Sequence, residues 1–342
     1  MQIIITSIKQ ETPGVKTFTV AAEDGSNIPY KAGQFITFAF THHGREERRS
    51  FSISSCPELN EPLSFTVKRI DNGAYSRLLT DRAVVGDHLF TTGAAGLFTL
   101  PEGIATYKQV FFFAAGIGIT PVFSLIKTLL HTQPRVQVVL VYSNRSREEV
   151  VFYDELQALV KKLPDNFKVE FLYSNSFDLA RARLSKALLP VLLTEYALAP
   201  KNELLFYICG PFPYMRMAIL SLEEQGIHDE QIRKENFNTN DRQIRRSEPP
   251  DKTTHIVTIK FNGKEYNIPV VYSDTILQAA KKAGIALPYS CEVGRCGSCA
   301  ARCTKGKVWL SYNEVLMDAE LKHGSILTCV GHPVDGDVTI EA

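Results

Sequence analysis

Four cysteines near the C-terminal end constrain this chain most strongly. Cys291, Cys296 and Cys299 follow the spacing C-x4-C-x2-C, and Cys329 comes thirty residues later. This spacing is typical of a plant-type [2Fe–2S] cluster, in which four thiolates hold two irons and one loop supplies three of the thiolates. The pattern therefore predicts these four residues as metal ligands.

The residues between the cysteines suit a tight loop. Gly294 and Gly297 allow the backbone to fold around a cluster and to turn its N–H groups toward the sulfurs. Two alternatives remain open at this point. One is a zinc ion, which more often takes two C-x2-C pairs, and the other is a set of scattered buried thiols. The spacing favours the cluster, and with it a protein that moves single electrons.

Bulk composition limits the function classes. The chain has 342 residues, 44% of them hydrophobic, which is enough for two or three domains. Its formal net charge of +1 indicates neither a nucleic-acid partner nor an acidic membrane surface. We find no apolar run of membrane-spanning length and no signal peptide. Because the other three cysteines (Cys56, Cys209 and Cys303) form no framework with the four ligands, we expect a reducing, cytoplasmic location.

The pattern of apolar residues changes twice along the chain. Short alternating runs punctuated by glycine over residues 1–102 predict an antiparallel β-barrel. Alternating buried strands and helices over 103–238 predict an α/β domain with a parallel sheet. Residues 239–252 are polar and charged and contain Pro-Pro, so we interpret them as a linker. Residues 253–342 begin with a hairpin and carry the cysteine loop.

Two motifs in the first domain could bind a flavin. In the strand-like run Arg49-Ser50-Phe51-Ser52, an arginine can hold a pyrophosphate, an aromatic ring can pack on a flavin, and a serine can bond a ring nitrogen. Further on, Val67-Lys68 leads to Gly73-Ala74-Tyr75-Ser76 at a helix start, where free N–H groups favour a phosphate. Either motif alone could also be an ordinary strand or turn.

The second domain carries two glycine-containing strand ends. The strand from Val110 to Ala115 runs into Gly116-Ile117-Gly118-Ile119-Thr120-Pro121, where the glycines allow close approach of a cofactor and Pro121 suits the first turn of a helix. This is not the G-x-G-x-x-G fingerprint, and it could be merely a tight connection. Cys209-Gly210-Pro211 follows a later strand, at the edge of a parallel sheet where ligands bind. Cys209 could equally be a small buried residue.

Taken in this order, the motifs resemble the ferredoxin–NADP reductase superfamily. The carriers are Arg49-x-Phe51-Ser52, Gly73-x-x-Ser76, Gly116-x-Gly118-x-Thr120-Pro121 and Cys209-Gly210-Pro211. With the C-terminal cysteine loop, the chain is similar to the three-domain oxygenase reductases, a group that includes the reductase components of phenylacetyl-CoA epoxidases. The resemblance covers essentially the whole chain and implies a β-grasp ferredoxin fold for the third domain.

The resemblance also implies roles for particular residues. FAD would be contacted by the motif residues of the first domain and by Phe237, and the nicotinamide would be bordered by Thr120 and Cys209. The implied catalytic set is Ser52, Thr120, Cys209 and Glu235. Two departures are visible: alanine stands at 114 and 115 where the family often has a glycine, and Phe51 replaces the more usual tyrosine. Cys303 has no counterpart in the family pattern, and we interpret it as a bystander.

The second strand of the α/β domain suggests which nicotinamide is used. It ends in Ser143-Asn144-Arg145-Ser146-Arg147, with no carboxylate at its tip to bond a ribose 2′-hydroxyl. Ser143, Arg145 and Arg147 could instead bind a 2′-phosphate, which favours NADPH over NADH. The alternative is a solvated basic loop, because Glu148 and Glu149 follow directly.

These inferences combine into an electron relay. A nicotinamide gives up two electrons as a hydride whereas a cluster accepts one, so a flavin is needed between them. We therefore expect electrons to pass from NADPH to FAD, to [2Fe–2S] and then to a partner, which by resemblance is an oxygenase component of aromatic or acyl-CoA catabolism. Two rivals are a stand-alone NAD(P)H oxidase or quinone reductase, and a redox sensor without turnover.

Overall fold

The computed structural model describes residues 1–42, 45–237 and 247–342. The chain divides into two compact units, Met1–Asn236 and Phe237–Ala342. An antiparallel sheet and a parallel sheet make up the first unit, and a mixed sheet makes up the second. The predicted fold classes are thus confirmed. Among the described residues, no helix combines the length and apolar content needed to cross a membrane.

The antiparallel sheet forms the predicted barrel. Its elements are β1 (Gln2–Thr12), β2 (Val15–Ala22), β3 (Phe35–His42), β4 (Arg45–Ser52), β5 (Ser64–Lys68), α1 (Ala74–Arg77) and β6 (His88–Ala95). The strand order is β4-β3-β6-β1-β2-β5, and a bridge between Ile53 and Phe65 connects the two edges. Alternation along the strands sends Phe18, Phe38 and Phe65 inward, where all three are fully buried. Their stacked and tilted rings fill the centre of the barrel.

The parallel sheet follows directly in the chain. Its elements are β7 (Gln109–Ala115), α2 (Ile119–Thr132), β8 (Gln137–Asn144), α3 (Tyr153–Lys162), β9 (Phe167–Tyr173), α4 (Leu188–Tyr196), β10 (Leu204–Cys209), α5 (Phe212–Glu224) and β11 (Ile232–Glu235). All strands of this sheet are parallel, in the order β11-β10-β7-β8-β9. The chain first adds strands on one side of β7 and then on the other, so the strand order reverses between β7 and β10, a point called the reversal below. Helices cover both faces of such a sheet, so its central strands β7, β8 and β10 are almost fully buried and mostly apolar. Ligands of this fold bind at the carboxyl ends of the strands beside that reversal.

Helix α3 begins later than the sequence indicates. Periodicity places a helix from about Glu148, but Arg147–Glu149 form only a short 3-10 turn and α3 starts at Tyr153. Phe152 interrupts the helix because its φ is +62°, a conformation that a bulky residue adopts only when its surroundings demand it. Its ring stacks on Phe123 of α2, with centroids 4.4 Å apart. Tertiary packing therefore overrides the local helical pattern here.

The second unit has a mixed sheet. Its elements are β12 (His255–Phe261), β13 (Lys264–Val270), α6 (Ile276–Lys282), β14 (Ala300–Leu310), α7 (Asp318–Lys322), β15 (Ser325–Leu327) and β16 (Gly331–Glu341). The strand order is β13-β12-β16-β14-β15, with β12 parallel to β16 and the other pairs antiparallel. Thr275 begins α6 with a capping box, since its hydroxyl accepts from the Gln278 N–H at 3.2 Å.

Much of the predicted linker lies outside the described residues. Of residues 239–252, the structure describes only 247–252. Within the second unit, the N–H of Ser247 donates to the carbonyl of Ser311 at 3.2 Å. Asp251 pairs with His255 at 2.6 Å and accepts from the N–H of Asp335 at 3.0 Å. These hydrogen bonds hold the start of the second unit against its sheet.

Candidate active site and cluster loop

Three strands of the parallel sheet end side by side at the reversal. The register pairs Cys209 of β10 with Ala114 of β7 on one side and with Glu235 of β11 on the other. Gly118 lies against this edge, and a Cβ there would be 2.2 Å from the carbonyl oxygen of Cys209. Only glycine fits, so the predicted G-x-G turn is required by the close approach of two strand ends.

The turn after β7 carries the predicted nicotinamide residues. Gly116 has φ +53°, in the left-handed region, and its carbonyl accepts a hydrogen bond from the Tyr142 hydroxyl at 3.0 Å. Thr120, in the first turn of α2, is 1% exposed, and its hydroxyl donates to the Ile117 carbonyl at 2.9 Å. Pro121 also lies in that turn, where a missing N–H costs no intrahelical bond. The turn is thereby held rigid.

The segment after β10 completes this edge. Gly210 packs closely on Ala115, since a Cβ at Gly210 would lie 2.9 Å from the Cβ of Ala115. Pro211 directly precedes α5, which begins at Phe212. The Tyr214 hydroxyl reaches back to the Ala114 carbonyl at 3.2 Å. These contacts fix the Cys-Gly-Pro turn against the end of β7.

Strand β4 presents the predicted flavin-binding tetrapeptide. The Arg49 guanidinium is half-exposed and lies 5.1 Å from the centre of the Tyr75 ring. The hydroxyl of Ser50 is 2.9 Å from that of Thr37 on β3. Phe51 packs at the edge of the aromatic core, with its ring centre 6.0 Å from that of Phe65. An exposed cation beside an aromatic ring suits a phosphate-bearing cofactor.

The last residue of β4 contacts the sheet edge. Ser52 is 5% exposed, and its hydroxyl donates to a carboxylate oxygen of Glu235 at 3.4 Å. Glu235 keeps some solvent exposure but is surrounded by protein on most sides, and this burial raises its pKa to about 8. Burial, with the nearby Glu235, also raises the pKa of the Cys209 thiol. The site thus brings together three predicted catalytic residues, Ser52, Cys209 and Glu235. Burial raises the pKa of the last two and so favours their protonated forms.

The predicted phosphate loop is only partly arranged as expected. The Ser76 hydroxyl accepts from the N–H of Ile70 and donates to the Gly73 carbonyl, both at 3.1 Å. The side chain of Ser76 thus closes the turn. Helix α1, which begins at Ala74, has only four residues, but its first-turn N–H groups still lack intrahelical acceptors. An anion here could accept from these N–H groups, and the contact of Ser76 with a phosphate stays a prediction.

Two further predicted residues on β5 point in different directions. Val67 is 1% exposed and its side chain belongs to the barrel core, whereas Lys68 at the strand end is exposed. Val67 can therefore contact a cofactor only through its backbone. Lys68, the last residue of β5, is exposed, so its ammonium group lies at the surface.

The tip of β8 combines buried polar groups with exposed arginines. The Nδ2 of Asn144 is buried and has no hydrogen-bond partner among the described residues, whereas the Ser143 hydroxyl lies within hydrogen-bonding reach of Tyr214. Arg145 and Arg147 follow and are exposed, and the Arg147 guanidinium lies 4.7 Å from the centre of the Tyr153 ring. A buried amide donor at a ligand-binding edge suits a polar ligand, because leaving such a donor unsatisfied is costly.

The four predicted metal ligands interact in two pairs. The Cys296 thiol hydrogen-bonds to Cys291, and the Cys329 thiol hydrogen-bonds to Cys299. These bonds, with nearby backbone N–H groups, lower the pKa of Cys291 and of Cys299. Among the described residues, no three histidine, cysteine, aspartate or glutamate side chains lie closely enough together to hold a single metal ion. Two pairs match a cluster in which each of two irons takes two thiolates.

The backbone of the loop is shaped for this arrangement. Glu292, Gly294 and Gly297 have φ values of +57°, +76° and +73°. These conformations turn N–H groups inward, and the Val293 N–H donates to the Cys291 sulfur at 3.5 Å. The residues present therefore fit a [2Fe–2S] cluster, since N–H donors stabilise sulfur that carries negative charge.

Comparisons with known proteins identify the domains. Residues 2–100 match the family described as an oxidoreductase FAD-binding domain, 112–219 an oxidoreductase NAD-binding domain, and 259–334 a 2Fe-2S iron-sulfur cluster binding domain. The chain is 30% identical over 349 residues to the glycine betaine monooxygenase reductase subunit of Pseudomonas aeruginosa, covering 97% of this chain and 92% of that protein. It is also 30% identical over 348 residues to a component of the 1,2-phenylacetyl-CoA epoxidase of Escherichia coli K12, covering 99% and 96%.

The chain belongs to the three-domain oxygenase reductases of the ferredoxin–NADP reductase superfamily. The solved structure of phthalate dioxygenase reductase has the same fold, with a TM-score of 0.60 and 23% identity over 100% of this chain and 98% of that one. The reductase is an NAD(P)H-dependent oxidoreductase whose domains bind FAD, a pyridine nucleotide and a [2Fe–2S] cluster.

Two further residues of the sequence analysis, Phe237 and Cys303, belong to the second unit. Phe237, which would contact the flavin, is 43% exposed and directly precedes the residues that the structure leaves undescribed. Cys303 lies on β14, and its sulfur is 3.5 Å from the Lys305 carbonyl and 3.6 Å from that of Gly306. These contacts with its own strand give Cys303 no part in the two thiol pairs.

Sequence reasoning missed several residues of the reductase that support the site. They are Tyr75 beneath Arg49, Asn144 at the tip of β8, and the group Arg295, Tyr312 and Glu314 on the cluster loop. None has a spacing that marks it. Arg295 alone offered a signal, because an arginine inside a tight metal-binding loop needs a counterion.

Proposed function

We propose that this reductase takes a hydride from NADPH and passes single electrons, through FAD and the cluster, to an oxygenase component. One observation carries the proposal: Ser52 of the FAD-binding domain meets Glu235 at the strand ends of the nucleotide-binding domain. A flavin held by β4 would thereby face a nicotinamide held at the sheet reversal. The flavin supplies the conversion between two-electron and one-electron transfer.

The residues of this chain hold and orient the reactants. Arg49 and Lys68 would neutralise phosphate charge, and the N–H of Ala74 would donate to it, whereas the Gly73 N–H already donates to the Ile70 carbonyl at 2.9 Å. Ser50 and Phe51 line the strand against which the ring packs. Thr120 and the Gly116 turn position the nicotinamide on the opposite side, and Gly210 and Pro211 close the edge.

Glu235 and Cys209 exclude charge from the reaction centre. Burial raises the pKa of Glu235 to about 8, which favours the protonated, neutral form of its side chain near neutral pH. In that form it can exchange hydrogen bonds with the Ser52 hydroxyl, which keeps that hydroxyl oriented. The Cys209 thiol, whose pKa burial raises, adds a small neutral surface. Transfer of negative charge is easier where no anion already lies.

The relay can be tested at the cluster. We expect Cys299→Ser to lose the reduced-cluster EPR signal and the NADPH-dependent reduction of cytochrome c, while the reduction of ferricyanide by the flavin persists. Cys303→Ser is the matched control in the same domain and should retain both activities. Equal loss of the EPR signal in the two variants would contradict the assignment of Cys291, Cys296, Cys299 and Cys329 as ligands.

The preference for NADPH is the finer part of the proposal. It is supported by Ser143, Arg145 and Arg147 at the tip of β8, where Arg147 already stacks on Tyr153. A 2′-phosphate there would gain charge-assisted hydrogen bonds that NADH cannot make. Against it stands one relative, named as an NADH oxidoreductase, that is 29% identical over 340 residues.

An anaerobic titration decides between the nucleotides. NADPH should bleach the flavin and cluster absorbance at lower concentration than NADH, and Arg145→Gln with Arg147→Gln should remove that advantage. Arg135→Gln, an exposed arginine just before the opposite end of the same strand, is the control. Equal or better reduction by NADH in the wild type would overturn the NADPH preference and leave the relay intact.

The partner is proposed from the relatives named above, which are reductases of oxygenase systems. We propose an oxygenase of aromatic or acyl-CoA catabolism in the cytoplasm, where seven free cysteines stay reduced. Reconstitution with such an oxygenase should couple NADPH oxidation to product formation. Rapid turnover with oxygen or a quinone alone, unaffected by an oxygenase, would instead favour the stand-alone oxidase or quinone reductase. Absence of nicotinamide turnover would favour a redox sensor.

A further inference from the structure

A buried cation lies inside the cluster loop. Arg295, between Gly294 and Cys296, has a side chain that is only 5% exposed. Its Nε is 2.7 Å from Oε2 of Glu314, whose side chain is 12% exposed. Burying a guanidinium is unfavourable unless a partner compensates its charge. Glu314 provides such compensation directly beside the metal-binding residues.

Glu314 is itself held in place from two sides. The Tyr312 hydroxyl donates to the same Oε2 at 2.7 Å, and the N–H of Glu314 donates to the carbonyl of Gly294 at 3.2 Å. The N–H of Ser311 donates to the Val330 carbonyl at 2.9 Å. The segment 311–314 is therefore fixed between the cluster loop and the residue that follows Cys329.

The same loop residues also reach the thiols through their backbone. The N–H of Arg295 hydrogen-bonds to the sulfur of Cys291, and that of Gly294 to the sulfur of Cys329. Arg295 thus carries its positive charge on a residue whose own amide contacts one of the predicted ligands. The Gly294 site is tightly packed as well, since a Cβ there would lie 3.1 Å from the Tyr312 carbonyl oxygen.

We propose that Arg295 and Glu314 each bias the reduction potential of the cluster, in opposite directions, an inference that rests on the proposed [2Fe–2S] site. Reduction adds one electron, and hence one negative charge, to the cluster. A nearby buried cation stabilises that charge and a nearby buried anion opposes it, because Coulomb interactions are strong where water is excluded. The potential of such clusters responds to charge and hydrogen bonding around the sulfurs. Arg295 and Glu314 therefore act on the potential with opposite sign.

The test is a redox titration of the full-length, cofactor-loaded protein, followed by the EPR signal of the reduced cluster. Arg295→Gln should shift the midpoint potential to lower values, because it removes a positive charge beside the cluster loop. Glu314→Gln should shift it to higher values, because it removes a negative charge there. The double variant should return toward the wild-type potential. Lys305→Gln, an exposed lysine on β14 of the same domain, is the control and should produce no shift.

The opposite signs separate charge tuning from simple loosening of the loop. Tyr312→Phe removes a hydrogen bond without changing charge, so its shift should be smaller than that of either charge variant. Arg295→Lys and Glu314→Asp preserve the charges, so they should keep the midpoint potential near the wild-type value. They test the proposal even if Arg295→Gln or Glu314→Gln fails to load a cluster. If these two charge-preserving variants shift the potential as much as Tyr312→Phe does, the result counts against the proposal.

Two other results would overturn the inference. Single variants that shift the potential in the same direction would indicate a structural role only, and unmoved potentials would exclude any role of the pair. In both cases a normal wild-type cluster signal would leave the proposed function standing. A wild-type protein that holds no [2Fe–2S] cluster after reconstitution would remove both.

Discussion

The hydroxyl of Ser52 donates a hydrogen bond to Glu235 at 3.4 Å, joining the last residue of β4 to the last residue of β11. The two residues are 183 positions apart in the chain. Their contact places the end of the flavin-domain tetrapeptide at the edge of the parallel sheet. The proposed route of the hydride depends on this junction.

The raised pKa of Glu235 predicts a pH-dependent rate. Above about pH 8 this buried side chain ionises and places a negative charge beside the proposed hydride path. We expect the rate of flavin reduction by NADPH to fall as the pH rises through that value. Stopped-flow reduction across pH 6 to 10 measures it, and Glu235→Gln should flatten the profile. Glu230→Gln, an exposed neighbour, should keep the wild-type profile.

The same group predicts a pH-dependent stability. The folded protein holds the Glu235 proton up to about pH 8, whereas the unfolded chain releases it near the ordinary carboxyl pKa of 4.5. The folded state binds more protons within this window, so the contribution of Glu235 to the free energy of unfolding falls as the pH rises. Thermal melts should therefore lose less stability between pH 5 and pH 8 in Glu235→Gln than in the wild type. Parallel curves for the two proteins would contradict the raised pKa.

An ion pair between the first two domains predicts a positioning effect. Lys127 of α2 pairs with Glu61, and Thr128 donates to Glu58 at 2.7 Å. The Lys127 side chain is 10% exposed, so Lys127→Gln should cost about 1–2 kcal/mol, between the values for surface and buried pairs. Because α2 carries Thr120 in its first turn, flavin reduction by NADPH should also slow. Lys186→Gln breaks an exposed pair with Glu224 and should change the stability by less than about 0.5 kcal/mol.

The close approach at Gly118 predicts a steric effect. Gly118→Ala would place a methyl group 2.2 Å from the Cys209 carbonyl oxygen. The strand ends must separate, which we expect to cost about 1–3 kcal/mol and to weaken NADPH binding. Gly103→Ala is the control, because the nearest atom to its Cβ would be the Thr106 hydroxyl at 3.9 Å. Calorimetry and nucleotide titration measure both effects, and equal behaviour of the two variants would count against the proposed nucleotide edge.

Charge balance in the third domain predicts a dependence on the tether. Residues 253–342 contain nine Lys/Arg and nine Asp/Glu, so this segment offers little electrostatic steering. A covalent link instead supplies an effective concentration of the order of millimolar. Separate polypeptides 1–237 and 247–342, mixed at about 1 µM, should therefore transfer electrons to the cluster roughly 100-fold more slowly or worse. Unchanged rates at equal concentration would contradict a role for the tether.

Local signals predicted much of the fold and part of the site. Alternation marked the barrel strands, continuous apolar runs marked β7, β8 and β10, and cysteine spacing marked the cluster loop. The start of α3 was wrong by several residues, because the packing of Phe152 on Phe123 determines where that helix begins. The bonds of the Ser76 hydroxyl to its own turn could not be predicted from the motif, and its contact with a phosphate stays a prediction.

The sequence by itself determined which cofactors this protein has motifs for, because thiol spacing, glycine turns and strand patterns depend on residues that are close along the chain. Only the tertiary structure decided which groups meet. The Ser52–Glu235 contact and the two thiol pairs join distant segments, and so do the buried Arg295–Glu314 pair and the Gly118–Cys209 approach. These long-range contacts bury the groups that make them. Burial raises the pKa of Glu235 and strengthens the electrostatic interactions of the charges in the cluster loop.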